Sequence, residues 1–378
     1  MKLTTAGESH GKALVAIIEG VPAHLKINLD KINTELALRQ KGYGRGARQK
    51  IEQDKAELLS GVRNGETLGS PIALCIWNKD YVNCLEYMSD GKCDKAKTLE
   101  KSVTKLRPGH ADLAGVLKFE QTDARNVLER ASARETAIRV AAGSVFKEYL
   151  SALGVEISGY VREIYSVKDQ KEYTFDEIKL AKTTELGMLD HGKSELAKLQ
   201  IDALKENGDT AGGVVEIRVR GLKSGFGSMM TYAEKLDARL AGALMGIQAV
   251  KGVEIGMGFD CARTSGKQVH DEILYGENGF SRKTNRAGGI EGGTSNGEEI
   301  VVRLAMKPIP TLMQGLQTVD YLTKEKAVAD AQRSDVCAIF ALEIIAEAVV
   351  SEVLANAVSE RLGGDTMSQV IARYNQLA

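Results

Sequence analysis

Residues 335–362 read as a helix that is apolar on nearly every side, with Glu343 and Glu347 confined to one narrow stripe. A helix of that kind cannot lie on a surface; its neighbours must enclose it. The chain supplies strands to do so. An apolar run over residues 15–18 fits a buried strand. Residues 56–62 and 71–77 flank an Asn64-Gly65 turn, a strong antiparallel hairpin signal. Val215, Ile217 and Val219 alternate with Glu216, Arg218 and Arg220, the pattern of a strand with one wet face. A second turn, Asn296-Gly297, leads into a strand over 300–306. Another long helix is expected to open at Ser132 and run through Ile138, Val140, Ala141 and Val145 toward Leu150. A shorter one, capped by Asn28 or Asp30, should reach about Lys41, with Gly42 as its left-handed stop. Hairpins interleaved with apolar helices predict an α+β fold in which a central helical layer is sandwiched between antiparallel β-sheets. No repeat or convincing boundary divides residues 1–378, so one large domain is expected. Residues 92–105 look like a loop and residues 169–209 like a peripheral excursion.

Charge is almost balanced, 50 Lys and Arg against 51 Asp and Glu. That argues against a general nucleic-acid binder, which carries an excess of basic residues. The five cysteines are odd in number and lack metal-ligand pairing, so no metal site is expected and a reducing compartment is. No signal-peptide core precedes Glu8 and no apolar run is long enough to cross a bilayer, so a cytoplasmic location without membrane contact is expected.

Against that neutral background the basic charge is concentrated locally. Arg125, Arg130, Arg134 and Arg139 fall close together, and Ser132 and Glu135 have capping-box spacing within the same string. A helix N-terminus offers free N–H donors and a positive dipole end, so the string suggests a small, highly anionic ligand. Arg39, Arg45 and Arg48 surround the glycine-rich stretch 42–46; guanidinium forks grip phosphate and carboxylate oxygens in pairs. A solvated basic loop is an equal reading of that stretch taken alone. His10 and His110 lie in polar, glycine-flanked loops, where an imidazole can serve as a general acid or simply occupy a turn. His24, His191 and His270 lack such settings. Ser334 or Asp335 can cap the long apolar helix, and Asp335 can equally be a base with Arg333 facing an anion.

The stretches 7–11, 42–48, 107–111, 125–143, 248–256, 288–298 and 333–337 stand in the order and setting found in chorismate synthases, and the chain resembles that family along essentially its whole length. The resemblance implies the last common step toward the aromatic amino acids. In it, 5-enolpyruvylshikimate 3-phosphate loses phosphate and a ring hydrogen by anti-1,4-elimination to give chorismate, a carbon–oxygen lyase reaction. It implies reduced FMN as cofactor, thought to lend an electron to the substrate and recover it afterward. Together the substrate and FMN bring about five to six negative charges at neutral pH, which suits the clustered arginines.

By the same resemblance, Ser9, Arg39, Arg45, Arg48, Arg107, Arg134 and Arg333 line the substrate. His10 donates a proton to the departing phosphate, His110 protonates or stabilises the reduced flavin, and Asp335 acts with flavin N5 in removing the ring proton. The cofactor contacts carried over are Arg130, Ala131, Ser132, Gln248, Ala249, Gly292, Lys307, Pro308, Ile309, Pro310, Thr311 and Arg333. Ala131 stands where relatives commonly have serine, and Gln248 where asparagine is frequent. Some members reduce their own flavin with NADPH, for which Arg39 and Arg45 would be the contacts. The compact chain points instead to the monofunctional kind. A homotetramer is also implied. The competing readings are a flavin reductase, which would oxidise NADPH without the substrate, and a polyanion-binding protein, which would bind nucleic acid in a salt-sensitive way.

Overall fold

A computed structural model describes residues 1–46, 53–277, 279–330 and 335–377. Two antiparallel sheets enclose a layer of helices, as the apolar helix requires. The first sheet contains β1 (Lys2–Ala6), β2 (Ala13–Glu19), β3 (Glu57–Ser60) and β4 (Ile72–Trp77), ordered β1-β2-β4-β3. Its inner face is made by alternate residues of the two central strands, Leu14, Ala16 and Ile18 beside Ile72, Leu74 and Ile76, all sealed from solvent. The second sheet holds β5 (Glu156–Ile164), β6 (Val167–Lys168), β7 (Gly213–Arg220), β8 (Val250–Ile255) and β9 (Ile300–Met306), ordered β8-β9-β7-β5-β6. Val215, Ile217 and Val219 face inward with Ile300, Val302 and Leu304.

Between the sheets lie α1 (Leu29–Gln40), α3 (Thr136–Ser151), α5 (Leu236–Met245) and α6 (Ile339–Leu362), after the short α2 (Arg125–Ala131) and with α4 (His191–Glu206) at the side. The inner face of the first sheet packs on α3, and β5 and β7 of the second on α6. The two long helices touch most closely where Gly143 meets Ala348: a Cβ on Gly143 would fall 2.3 Å from that of Ala348. Ser351 Oγ also donates to the Gly143 carbonyl at 3.0 Å. No helix among the described residues is long and apolar enough to cross a membrane.

Several expectations change in detail. The Asn64-Gly65 turn closes a two-residue ribbon, Val62–Arg63 with Glu66–Thr67, and β3 and β4 pair beyond it. The face of β7 expected to be wet is roofed: Glu216 is 1% exposed and bonded to Arg162 Nη1 at 2.6 Å and Arg218 Nε at 2.8 Å. The roof is part of the stretch read as an excursion, with Tyr173, Phe175, Ile178 and Ala181 buried beneath it. The stretch read as a loop contains a short helix, Lys95–Glu100. Asp335 does not cap α6, whose first residue is Ile339 and whose cap position, Ala338, has no side-chain bond.

Candidate active site

The loop between β1 and β2 begins at Gly7, with φ of +114°, where a Cβ would fall 2.3 Å from the Ala13 carbonyl oxygen. That turn sends Ser9 and His10 back against α2. The Ser9 N–H donates to the Glu129 carbonyl at 2.9 Å, and Ser9 is buried. His10 donates its backbone N–H to Glu129 Oε2 at 2.8 Å, and its Nδ1 lies 3.0 Å from Oε2 and 3.1 Å from Oε1. Arg125 Nη1 reaches Oε1 at 3.2 Å. Burial alone would raise the Glu129 carboxyl, but its bonds with His10 and the charge of Arg125 hold it below the ordinary range.

The basic string straddles two helices rather than opening one. α2 ends at Ala131; Ser132 is extended and leads through a short turn, Ala133–Glu135, into α3. Ser132 Oγ accepts from the Arg134 N–H at 3.2 Å, and the Glu135 carboxylate accepts from Thr5 Oγ1 at 2.9 Å, so the expected capping box is not formed. Arg130 lies along β1, donating to the Thr5 and Gly7 carbonyls at 3.1 and 3.2 Å. Arg134 is buried, with Nη1 at 2.6 and 2.7 Å from the two oxygens of Asp54 and Nη2 at 2.9 Å from Asn78 Oδ1. Arg39 donates to the Ala133 carbonyl and Thr136 Oγ1, both at 2.9 Å, and sits 3.8 Å from Asp54. Burial pulls Arg39 down to about 10; Asp54 opposes this, while Arg134 and Arg45 add to it.

Next to Arg39, the 42–46 loop carries Arg45 and runs beside the segment before α6. The Val336 N–H donates to the Gly44 carbonyl at 2.8 Å. Asp335 accepts from the Gly46 N–H at 2.6 Å through Oδ1 and forms an ion pair with Arg45 Nε at 3.0 Å through Oδ2. Both line a cavity of about 420 Å³ whose other walls include Tyr43, Asp202, Lys205 and Thr311. That volume is in the range of small-molecule sites.

Thr311 links the cavity to the second histidine. Lys307 reaches the Gly109 carbonyl with its ammonium, and the Ile309 carbonyl accepts from Thr210 Oγ1 at 2.8 Å. Pro310 lies beside Gly109, where an added Cβ would fall 3.3 Å from that of Pro310. In that loop His110 Nδ1 lies 2.7 Å from Asp112 Oδ1, and Arg107 clamps the same carboxylate at 2.8 and 2.9 Å. Asp112 is sealed from solvent; burial works to raise its carboxyl, yet His110 and Arg107 hold it well below the usual range. Pro308 continues the segment from Lys307, whose N–H donates to the Ala249 carbonyl at 2.9 Å. Ala249 has φ of +69°, and the neighbouring Gln248 side-chain oxygen is buried without a hydrogen-bond partner.

Gly292 stands apart. Its hairpin packs on Lys235 and Leu236 at the start of α5, whereas Gln248 follows the other end, about 15 Å along that helix. Arg48 and Arg333, and with them Ser334, lie outside the described residues. Glu129, Asp112, Asp54, Tyr43 and Asp202 were not among the expected site residues. His110-Ala111-Asp112 could have been read as a histidine with its own carboxylate; the others meet their partners only through the fold, as Tyr43 does in donating to Asp202 at 2.9 Å.

A family model described as chorismate synthase matches residues 1–359. The chain belongs to the chorismate synthase family. With the family comes the activity, formation of chorismate by a lyase reaction of the shikimate pathway leading to aromatic amino acids. A chorismate synthase of Geobacter sulfurreducens is 53% identical, the match covering 99% of this chain and 97% of that protein. One from Caldicellulosiruptor bescii is 51% identical over 100% of this chain and 99% of its own length. A crystal structure of chorismate synthase superposes with a TM-score of 0.80 at 40% identity, covering 99% of this chain and 96% of the other. These lengths leave no large unmatched insertion in either direction.

Proposed function

We propose that the reaction is the anti-1,4-elimination of phosphate from 5-enolpyruvylshikimate 3-phosphate, with reduced FMN as cofactor. The observation that carries this reading is the meeting of Arg45, Asp335 and Thr311, chosen for three different roles, on one cavity. The substrate's phosphate and two carboxylates need cations; Arg45 on the cavity and Arg107 in the His110 loop are each half of a charge pair. In this reading His10, with Nδ1 committed to Glu129, hands a proton from Nε2 to the departing phosphate. Asp335, held at both oxygens, is the carboxylate toward which the ring proton leaves.

Bound reduced FMN would supply transient electron density that weakens the allylic C–O bond. The residues present suit it in part. An unpartnered buried acceptor, Gln248 Oε1, fits the N–H edge of a flavin ring, and Ala249, Lys307 and Pro310 form a continuous rim from there to His110. Arg130 and Ser132 are engaged within the chain, and Gly292 is remote from Gln248.

Arg39, with its guanidinium spent on Ala133, Thr136 and Asp54, offers little to a dinucleotide phosphate, which favours the monofunctional reading. A cytoplasmic homotetramer belongs to the same proposal; what supports a partner is the hairpin Ile273–Gly276 with Gly279–Arg282, where Tyr275 and Phe280 are each 76% exposed. The test is anaerobic: protein, substrate and photoreduced FMN should release phosphate and form chorismate, and His10→Ala should nearly abolish it. Absence of product with the unaltered protein would overturn the proposal.

A further inference from the structure

Glu129 makes three contacts to the loop that carries His10, one through its backbone and two through its carboxylate. The carbonyl accepts the Ser9 N–H at 2.9 Å, Oε2 accepts the His10 N–H at 2.8 Å, and the carboxylate lies 3.0 Å from His10 Nδ1. Its side chain is only 2% exposed. Arg125 steadies it from the preceding turn of α2 through Oε1, and the Arg125 guanidinium is in turn held 5.2 Å from the centre of the Tyr87 ring. A carboxylate buried this far is costly unless several donors satisfy it, and here an imidazole, an arginine and a backbone N–H do so. The site repeats the arrangement at His110, where buried Asp112 takes Nδ1 and Arg107 takes Asp112.

We infer that Glu129 is a positioning residue for the elimination, holding the Nδ1–H of His10 so that Nε2 is the nitrogen that exchanges a proton with the departing phosphate. This rests on the reading of His10 as the proton donor. A carboxylate can only accept, so Nδ1 must carry the hydrogen that points at it. The partner of one ring nitrogen thereby decides what the other does. When the C–O bond breaks, its electron pair leaves with phosphate and the Nε2 proton goes to a phosphate oxygen. The ring is left neutral with Nδ1–H still on Glu129.

Glu129→Gln tests the role while keeping size and polarity. With its oxygen on the His10 N–H, the glutamine presents its NH2 to Nδ1 and favours the opposite tautomer. The chain has five histidines, so selective 15N-histidine labelling resolves the ring nitrogens of His10, assigned by their loss in His10→Ala. The expected result is a tautomer change at His10 alone, with kcat reduced about 10²-fold or more and KM nearly unchanged. Added to His10→Ala, the same substitution should cost no further activity. Arg125→Gln, which leaves Glu129 in place but frees its carboxylate, should lower kcat less, and it serves if Glu129→Gln does not fold. If His10→Ala is inactive while Glu129→Gln keeps full kcat, keeps the original tautomer or changes only KM, the positioning role is overturned. If His10→Ala is itself fully active, the reading of His10 falls first, a separate and distinguishable failure.

Discussion

Replacing Glu343 by glutamine is expected to stabilise the protein at neutral pH, and to do so less as the pH falls. Glu343 and Glu347 are one turn apart on α6 with both side chains sealed from solvent. Facing them are Lys147 on α3, Lys182 in the turn Lys179–Thr183, Glu35 on α1 and the Gly159 N–H of β5, which donates to Glu347 Oε1 at 2.8 Å. Lys147 Nζ lies 2.5 Å and Lys182 Nζ 2.7 Å from Glu347 Oε2, and Lys147 Nζ is also 2.6 Å from Glu35. Two lysines balance Glu35 and Glu347; a third carboxylate would stand uncompensated. Glu343 therefore holds a proton. Burial first, and the Glu347 charge second, push its carboxyl well above the ordinary value.

Keeping that proton has a cost that grows with pH. An unfolded glutamate loses its proton above about pH 4.3, and folding at higher pH must put it back at about 1.4 kcal/mol per unit. The stability is thus complete below about pH 4.3 and lost as pH rises toward the raised folded value. Glutamine needs no proton, so Glu343→Gln should raise stability by an amount that grows with pH, by at most about 1.4 kcal/mol per unit above pH 4.3, and that vanishes at pH 4. Urea midpoints of the two proteins, compared at equal slope and protein concentration between pH 4.5 and 7.5, measure the difference. A gain independent of pH, or a loss at pH 7, would refute the neutral Glu343.

The opposite substitution on the same stripe behaves differently. Glu347→Gln strips the anion from Lys147 and Lys182 and should cost about 3–5 kcal/mol in the same urea assay. Asp54→Asn should also destabilise, because Arg39 and Arg134 lose the carboxylate that both approach; an unchanged midpoint would show that they do not depend on it. Gly143→Ala drives a Cβ into Ala348 and should lower stability by about 1–3 kcal/mol through the α3–α6 contact, read from the thermal midpoint. Asp335→Asn keeps an acceptor for the Gly46 N–H but loses the charge against Arg45; kcat should fall about 10²-fold or more, with the melting temperature nearly constant.

The parts of the fold written in local pattern were legible. Asn28 caps α1 by accepting from the Asp30 and Lys31 N–H groups, and Gly42 follows with φ of +117°. The alternation at Val215, Ile217 and Val219 picks the buried face of β7, and the all-round apolar helix is enclosed by both sheets through its neighbours. What local pattern does not carry is the partner of a polar group. Glu216 and Arg218 look like solvent-facing residues until Arg162 and Glu172, distant in sequence, arrive over them. Ser132 and Glu135 have the spacing of a capping box, but Thr5 on β1 takes the carboxylate first. In the candidate site, three residues named from the family's motifs, Arg45, Asp335 and Thr311, meet on one cavity, while the acids beside His10 and beside Arg39 and Arg134, Glu129 and Asp54, carry no signal in a single sequence. Each is one acidic residue among many until the fold brings it to a histidine or an arginine.

The charge arithmetic of the site separates two ways in which an arginine can serve an anionic ligand. Arg39 and Arg134 are both buried against the same carboxylate, Asp54. Their hydrogen-bonding edges are also occupied by Ala133, Thr136 and Asn78, so neither has an open fork like those that grip a phosphate directly. Their contribution would come through the field, which acts without contact and weakens with distance and with the local dielectric. On the proposed reading the substrate and cofactor bring anions into that field, and the attraction becomes part of their binding energy. Contact is left to the arginines beside the cavity and the histidine loop, Arg45 and Arg107, each already aligned by an aspartate.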